Sequence, residues 1–216
     1  MARPKILSET RRPVEESMPP RSSSLRPHEW LSGASLSMFK DALGSDDPFE
    51  LYLSELAERK IKEHAEGEAR RRLEVMGFLL GYVSAHHGRT YSVVRDVVTT
   101  ELRSSSSRVR FDPEAFPRLF GELDGSGFDY ILVGWYHSHP GHTCFLSRTD
   151  LITQRTFFNQ PYHAALVIDP INREVKTYKL TEGGYVEVPF AVFTGAHSPR
   201  KNGRTRKLKV KPVDDP

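Results

Sequence analysis

The sequence predicts a single α/β domain with a mixed β-sheet flanked by helices, and three observations support this prediction. Stretches rich in β-branched and aromatic residues alternate along the chain with stretches of helical periodicity. The 216 residues, of which 38% are hydrophobic, are enough for one domain with a sizeable core. No internal repeat divides the sequence. We therefore expect one domain over residues 47–195, preceded by an extension at 1–46 and followed by a tail at 196–216.

The elements of this domain are predicted from local composition. Strands are placed where β-branched and aromatic residues concentrate, and helices where apolar residues recur every three or four positions. In chain order these are a strand at 49–53, a helix at 54–68, strands at 77–84 and 91–99, a helix at 113–123, a strand at 130–136, a helix at 148–160, and strands at 164–169 and 175–180. Two histidines at 86–87 fall in a hairpin turn, and Gly183 with Gly184 indicates one more turn and strand.

The N-terminal extension, residues 1–46, mixes Arg, Glu, Ser and Pro with few large apolar side chains. Such a composition buries too little apolar surface to offset the entropy of ordering, so we expect a flexible lead. The extension also contains two short apolar pieces, HEWL at 28–31 and LSMFK at 36–40. Either piece could instead dock onto the domain or onto a partner.

The tail at 196–216 carries seven basic residues against two acidic ones, whereas the whole chain has a net charge of only +3. The basic character of the protein therefore comes from this tail. The tail is expected to be a solvated, disordered end, with contact to nucleic acid or to an acidic partner surface as the alternatives. No aromatic residues are interleaved with its charges, which weakens the case for single-strand binding.

Several classes of protein are disfavoured by composition. The chain has no apolar run of 18 or more residues and no apolar region near its N-terminus, so neither a transmembrane helix nor a signal peptide is predicted. The single cysteine, Cys144, excludes an internal disulfide and a zinc finger. A cytoplasmic location is expected, because a lone cysteine suits a reducing compartment.

The most informative local pattern joins His137 and His139 to Ser147 and Asp150. The two histidines leave the end of the strand predicted at 130–136, and side chains two residues apart in an extended chain point to the same face. Ser147 is placed near the N-cap of the following helix, which puts Asp150 in its first turn. The carboxylate could then face back towards the histidines.

Two histidines and one aspartate form a three-ligand set. Three protein ligands with one position left for water are typical of catalytic rather than structural zinc. Such chemistry also needs a base, and the candidate is Glu74, a carboxylate at the start of an apolar segment where it would suit an ordinary core poorly. The alternative is an iron facial triad built from the same two histidines and carboxylate.

With these residues in view, the chain resembles the JAMM (MPN+) zinc metalloproteases, which include the deubiquitinase of the proteasome lid and the deneddylase of the COP9 signalosome. The shared pattern is an upstream Glu, then H-x-H, seven residues, Ser, two residues and Asp. The segments EVMG at 74–77, GWYHSHPG at 134–141, CFLS at 144–147 and VIDP at 167–170 strengthen it. The resemblance covers about residues 48–180 and implies an MPN (cytidine-deaminase-like) domain.

The resemblance also implies a role for each residue. His137, His139 and Asp150 would bind one catalytic zinc ion, Glu74 would hold and deprotonate the water, and Ser147 would donate a hydrogen bond to the oxyanion. Ser147 is then not a nucleophile. The implied activity is that of an isopeptidase or peptidase cleaving after the C-terminal tail of ubiquitin or a ubiquitin-like protein, for deconjugation or precursor maturation. A larger assembly is a possible context for this activity.

In the family, the interval at 101–108 is a first insertion that can order as a hairpin against the ubiquitin tail. It is therefore the candidate substrate-binding segment, although a plain surface loop is the alternative. Its candidate contact residues are Arg103, Ser104, Ser105, Ser106, Ser107 and Arg108. Endosomal members carry a second insertion with an extra zinc site, but the lone cysteine and the short turn at 169–173 argue against a second zinc here.

Two rival functions remain open: a non-catalytic MPN scaffold, against which the complete ligand set argues, and a nucleic-acid-associated MPN protein targeted by its basic tail. Among other residues near the motif, Cys144 is expected to pack beneath the turn. His142 and His163 are secondary candidates for contacts behind the ligands. Asp169 is expected to end its strand rather than to serve catalysis.

Overall fold

The computed structural model describes residues 14–99 and 130–195. Within these ranges the elements are a 3-10 turn (Ser22–Ser24), β1 (Leu25–Arg26), α1 (Gly33–Leu43), β2 (Leu51–Ser54), α2 (Glu55–Ala69), β3 (Met76–His86), β4 (Arg89–Thr99), β5 (Ile131–Ser138), α3 (Arg148–Phe157), β6 (Ala164–Asp169), β7 (Glu174–Thr181), β8 (Gly184–Glu187) and β9 (Phe190–Phe193). The helix predicted at 113–123, the loop at 101–108 and the tail at 196–216 lie outside the described residues. No helix in the described ranges is both long and apolar enough to cross a membrane.

The described strands form one mixed sheet in the order β1-β9-β2-β4-β3-β5-β6-β7-β8. The β2–β4, β2–β9 and β5–β6 pairs are parallel and the other pairs antiparallel. Alternate side chains of β3 enter two different cores, with Leu79 in the core that includes α1 and α2, and Phe78 in the core on the opposite face. Because the sheet is buried on both faces between helices, the predicted α/β class is confirmed.

Element bounds agree best where a strand is buried on both faces. The strand predicted at 164–169 is β6 with the same bounds. The helix predicted to run to residue 160 instead ends at Phe157. Phe158 leaves the helical conformation, and its buried ring lies against the rings of Phe78 and Trp135. Packing of this one aromatic side chain therefore ends the helix three residues before the end predicted from the sequence pattern.

The expectation of a flexible lead over residues 1–46 is wrong from residue 14 onwards. β1 pairs with β9 at the edge of the sheet, and α1 packs onto the first core. Trp30, Leu31 and Phe39 are all less than 10% exposed. These residues belong to the short apolar pieces of the sequence, and their burial opposes the entropy cost of ordering the segment.

Candidate metal centre

The candidate site is built at the end of β5, near the middle of the sheet. β5 lies between β3 and β6, and Met76 is the register partner of His137. Beyond the strand, the backbone N–H of His139 donates to the carbonyl of Ile168 at 2.9 Å. His137 and His139 are 2% and 4% exposed. The sheet therefore fixes both imidazoles on one side of the strand end, as the two-residue spacing predicts.

Asp150 reaches the same place from the first turn of α3. Ser147 is the N-cap residue, and its hydroxyl accepts the N–H of Asp150 at 3.2 Å. In return, the Asp150 carboxylate accepts the N–H of Ser147 at 2.7 Å, which completes a capping box. The predicted N-cap is therefore confirmed, and the cap holds the carboxylate at the end of the helix that faces β5.

Three potential ligand atoms converge between these elements. Nε2 of His137 lies 3.1 Å from Nε2 of His139, and Oδ2 of Asp150 lies 3.4 and 3.6 Å from these two nitrogens. Within the described ranges, these three residues are the group whose ligand atoms lie close enough together to hold a metal ion. Tetrahedral bonds of about 2.0–2.1 Å separate ligand atoms by about 3.4 Å. The three atoms therefore have the spacing that a small tetrahedral ion requires.

The protonation of the two imidazoles also fits a cation between them. Nδ1 of His139 lies 3.1 Å from the carbonyl oxygen of Thr143, which can only accept, so the ring proton belongs on Nδ1 and the lone pair on Nε2. Nδ1 of His137 is buried and has no hydrogen-bond partner among the described residues.

The Asp150 carboxyl is shifted towards its ionised form, which is the form that a bound cation requires. Burial alone would raise the pKa of the Asp150 carboxyl, but hydrogen bonds with His137 and His139 outweigh it and hold the pKa far below its usual range. Burial alone would lower the pKa of His139, but the hydrogen bond and charge of Asp150 outweigh it and raise that pKa. The carboxylate is thus ionised and demands positive charge beside it.

Glu74 lies next to this group because of the β3–β5 register. The pairing of Met76 with His137 continues outside the strands, since Ser138 N–H donates to the carbonyl of Val75 at 2.8 Å. Glu74 precedes Val75, and its carboxyl is close enough to His139 and His137 to interact with their charges. Burial raises the pKa of the half-buried Glu74 carboxyl, while the nearby His139 and His137 act to lower it. A carboxylate of raised basicity therefore borders the three ligand atoms.

Two buried side chains, those of Trp135 and Gln154, lie behind the site, and the glutamine was not identified from the sequence. Trp135 stacks on the His137 ring, with centroids 4.5 Å apart and planes at 13°. Its Nε1–H donates to Oε1 of Gln154 at 2.5 Å, and Gln154 is completely buried. Gln154 lies one helical turn after Asp150, so this bond holds α3 against β5. The four-residue spacing was a visible signal, but a buried glutamine cannot be recognised without its partner.

The other candidate residues near the motif lie in different environments. Cys144 is buried as predicted, its thiol donates to the carbonyl of Val167 at 3.3 Å, and burial raises its pKa. His142 is exposed. His163 is buried, but its Nδ1 accepts the N–H of Gln160 and its ring lies against Phe158, so it serves the loop after α3 rather than the ligands. The six candidate residues at 103–108 lie outside the described residues.

Comparison with known proteins places these features in context. A family model described as JAB1/Mov34/MPN/PAD-1 ubiquitin protease matches residues 49–160. The chain is 31% identical over 169 residues to COP9 signalosome complex subunit 5 of Candida albicans, covering 74% of this chain and 26% of that protein. It is 37% identical over 131 residues to ubiquitin carboxyl-terminal hydrolase RPN11 of Saccharomyces cerevisiae, covering 59% and 41%.

The relatives are longer than the matched region. The 26S proteasome non-ATPase regulatory subunit 14 of Dictyostelium discoideum is 36% identical over 122 residues, which cover 56% of this chain and 39% of that protein. The chain thus spans between about a quarter and two fifths of these three relatives. Among solved structures, protein DSY2949 from Desulfitobacterium hafniense aligns with a TM-score of 0.49 and 19% identity, covering 66% of this chain and 92% of that one.

Proposed function

The chain belongs to the JAB1/Mov34/MPN/PAD-1 family, and from this premise we propose that it is a zinc-dependent isopeptidase acting after the C-terminal tail of ubiquitin or a ubiquitin-like protein. The observation that carries the proposal is the convergence of His137, His139 and Asp150 beside Glu74. One relative in this family is named a ubiquitin carboxyl-terminal hydrolase. A family member that had become a pure scaffold would have no need to keep four such groups together.

The ligand spacing and the neighbouring Glu74 fit zinc hydrolysis better than iron chemistry. Two imidazoles and a carboxylate suit zinc, and the ligand spacing suits its tetrahedral geometry. Zinc held there would polarise the scissile carbonyl and lower the pKa of an attacking water. A neighbouring carboxylate that can move protons, as Glu74 can, is a part that hydrolysis needs.

Glu74 is the group that we assign to proton transfer. Its side chain can accept a proton from the attacking water and pass it to the leaving lysine amine or peptide nitrogen. Because burial raises its pKa, it holds that proton more readily than an exposed glutamate would. No covalent intermediate with the protein is required, and none of the four groups has to act as a nucleophile.

Ser147 is the group that we assign to the oxyanion. Its N-cap bond uses a lone pair of the hydroxyl oxygen, so the hydroxyl hydrogen remains available to donate. A donor aimed at the negative charge of the tetrahedral state stabilises it more than the ground state. Ser147 can therefore cap α3 and stabilise the oxyanion at the same time.

The substrate tail would enter in an extended conformation. We assign its contact to the segment 101–108, where Arg103 and Arg108 flank four serines, and to main-chain hydrogen bonding along that segment. Relatives named as subunits of the COP9 signalosome and the 26S proteasome favour action within a larger assembly. The same site can release a conjugated lysine or mature a precursor, since both reactions cleave after the same tail.

The test compares wild type with Glu74→Gln, His137→Ala and the matched control Glu66→Gln, whose side chain is exposed on α2. Each is loaded with zinc, measured for metal content, and incubated with ubiquitin and ubiquitin-like fusions and lysine conjugates. Wild type and the control should cleave. Glu74→Gln should keep zinc but lose at least about a hundredfold in rate, whereas His137→Ala should lose both.

Three outcomes would contradict the proposal in different ways. Zinc-loaded wild type that cleaves none of the panel would overturn the activity. Cleavage that persists unchanged in Glu74→Gln would overturn the role of that carboxylate. Iron rather than zinc in the purified wild type, with activity that depends on iron, would favour the facial-triad alternative.

A further inference from the structure

The turn that follows His139 is held by a buried carboxylate from another strand. Asp169, the last residue of β6, is completely buried. Its Oδ1 accepts the backbone N–H of Gly141 at 2.9 Å, and its Oδ2 accepts the N–H of Thr143 at 2.8 Å. One carboxylate thus bonds to two backbone groups of the turn that carries His139 towards α3.

The same carboxylate is anchored on its other side. Oδ1 also accepts the N–H groups of Ile171 and Asn172, at 2.9 and 3.0 Å, and Oδ2 accepts the side-chain amide of Asn172 at 2.7 Å. Asp169 therefore ties the β6–β7 turn to the turn after β5. A residue that merely ended its strand would need only the contacts on its own side.

Thr143 is the link between this carboxylate and the candidate ligand. Its φ of +65° lies in the left-handed region, which is unfavourable for a β-branched residue. In this conformation its N–H faces Asp169 while its carbonyl oxygen faces Nδ1 of His139 at 3.1 Å. The buried Asp169 carboxylate thus helps to hold Thr143 in this unfavourable conformation by bonding to its N–H. The carbonyl of Thr143 in turn keeps the ring proton of His139 on Nδ1.

We propose that Asp169 is a positioning residue that acts through Thr143 to keep His139 in the Nδ1–H form, with Nε2 turned towards His137 and Asp150. The inference rests on the proposed zinc site, because the tautomer of His139 matters for binding a metal ion there. The hydrogen bonds from which it is argued are contacts within the protein. Asp169 does not touch the ligand atoms. Partners behind a metal-binding histidine fix its ring and tautomer, and their loss typically weakens metal binding about tenfold to a hundredfold.

The sharpest variant is Asp169→Asn. An asparagine whose oxygen takes the place of Oδ1 keeps the bonds from Gly141, Ile171 and Asn172 N–H. Its amide nitrogen then faces the Thr143 N–H, donor against donor, while the Asn172 side chain can turn its own amide to accept. The substitution therefore removes mainly the bond to Thr143. The control is Asn172→Ala, which removes a bond to Oδ2 but leaves both bonds to the turn.

The first measurement is zinc affinity by competition with a chelator. Asp169→Asn should bind zinc about tenfold to a hundredfold more weakly than wild type, and Asn172→Ala should match wild type within about threefold. A third variant adds Thr143→Asn to Asp169→Asn, because asparagine adopts the left-handed conformation more easily than threonine. This double variant should recover part of the lost affinity, which a merely destabilised protein would not do.

The second measurement is the ring nitrogen NMR of His139 in metal-free protein at mildly alkaline pH. Wild type should show the Nδ1–H form, and Asp169→Asn should show a mixture of both tautomers. Nε2–H as the main form in wild type would overturn the inference even if the variant does not fold. Equal zinc affinity and equal His139 signals in wild type and Asp169→Asn would also overturn it. Wild type that shows the Nδ1–H form but binds no zinc would instead contradict the proposed function.

Discussion

Single residues at the start of α3 each combine an observed structural contact with a role in the proposed function. The hydroxyl oxygen of Ser147 caps the helix, and in the proposed function its hydrogen would donate to an oxyanion. Oδ2 of Asp150 accepts the Ser147 N–H and also faces both histidines. The helix dipole favours a negative charge at this position, so the cap and the ligand group support each other. Substitutions here therefore need measurements of both stability and rate.

Ser147→Ala should affect rate more than stability. Loss of the N-cap should lower the free energy of unfolding by about 1 kcal/mol. Loss of the oxyanion donor should lower kcat by about 10²–10³, which corresponds to about 3–4 kcal/mol. Urea denaturation and kcat of the zinc-loaded protein measure the two effects. Ser147→Thr, which keeps a hydroxyl, should retain most of the unfolding free energy and most of kcat. If Ser147→Ala lowers the unfolding free energy but leaves kcat nearly unchanged, Ser147 serves only as the helix cap.

The candidate ligands could be predicted from the sequence because local geometry determines them. Two residues of extended chain place His137 and His139 on one face, and an N-cap serine places Asp150 in a first turn. Asp169 and Thr143 could not be predicted in the same way. They are 26 residues apart, and the left-handed conformation of Thr143 has no signal in its residue type. Asp169 was accordingly expected only to end its strand.

At the level of elements, close backbone approach in the centre of the sheet depends on glycine. Gly134 of β5 is the register partner of Ala164 of β6 in a parallel pair. A Cβ added to Gly134 would lie 2.0 Å from the carbonyl oxygen of Ala164. That oxygen belongs to the backbone and cannot move without separating the strands. Three residues later, β5 carries the first candidate ligand.

Gly134→Ala should therefore destabilise the protein by about 3 kcal/mol or more, because the strands must separate to admit the methyl group. Zinc affinity should fall in any protein that still folds, since the end of β5 must shift. Gly183→Ala is the matched control, because its Cβ would meet nothing within 4 Å. Urea denaturation of the two variants measures the difference. Equal unfolding free energies would mean that β5 and β6 can separate at little cost.

Prediction of elements succeeded where one pattern determined the structure. β6 is apolar up to its last residue, Asp169, is buried on both faces and was predicted with its observed bounds. The N-terminal elements could not be predicted, because β1 has two residues and half-buried side chains. Its stability comes from pairing with β9, which is distant in the sequence. Non-local pairing of this kind leaves no period in the local sequence.

At the level of the whole molecule, the N-terminal segment is part of the core. Trp30 is 6% exposed, and Nζ of Lys62 on α2 lies 5.1 Å from its ring centroid. Arg26 bonds to the Glu58 carboxylate with both terminal nitrogens. Residues after the 3-10 turn thus attach to α2, to β9 and to the first core.

Trp30→Ala should lower the free energy of unfolding by about 3–5 kcal/mol, because a buried aromatic ring leaves a cavity that cannot fully collapse. Met18→Ala in the same segment is the control, since Met18 is 71% exposed, and it should stay within about 0.5 kcal/mol of wild type. Urea denaturation measures both. Similar values for the two variants would show that the segment contributes little to the fold.

Two buried histidines should make the protein sensitive to mild acid. Burial lowers the pKa of His28 and of His163 from 6.5 to about 4. The folded state therefore binds fewer protons than the unfolded state between these values. Their contribution to stability is complete above pH 6.5 and is lost as pH falls towards 4, by up to about 3 kcal/mol for each histidine.

Urea denaturation at a series of pH values across this window measures the effect, with His28→Asn as the comparison. The asparagine oxygen can accept the backbone N–H of Trp30, which donates to His28 Nδ1 at 3.0 Å in the wild type. The asparagine side chain does not titrate in this pH range. The variant should lose the contribution of His28, which is up to about 3 kcal/mol of unfolding free energy between pH 6.5 and 4. A variant with the full wild-type slope would assign the acid sensitivity to other groups.

The pairing of β1 with β9 has a consequence for the order in which the protein can fold on the ribosome. The carbonyl of Ser24 accepts the N–H of Thr194, 170 residues later in the chain. At about 5–20 residues per second, translation needs roughly 10–30 s to cover that distance. During this interval Trp30 and Phe39 have no completed sheet to cover them. The N-terminal apolar pieces therefore lack the strand β9 that completes their side of the sheet throughout this interval.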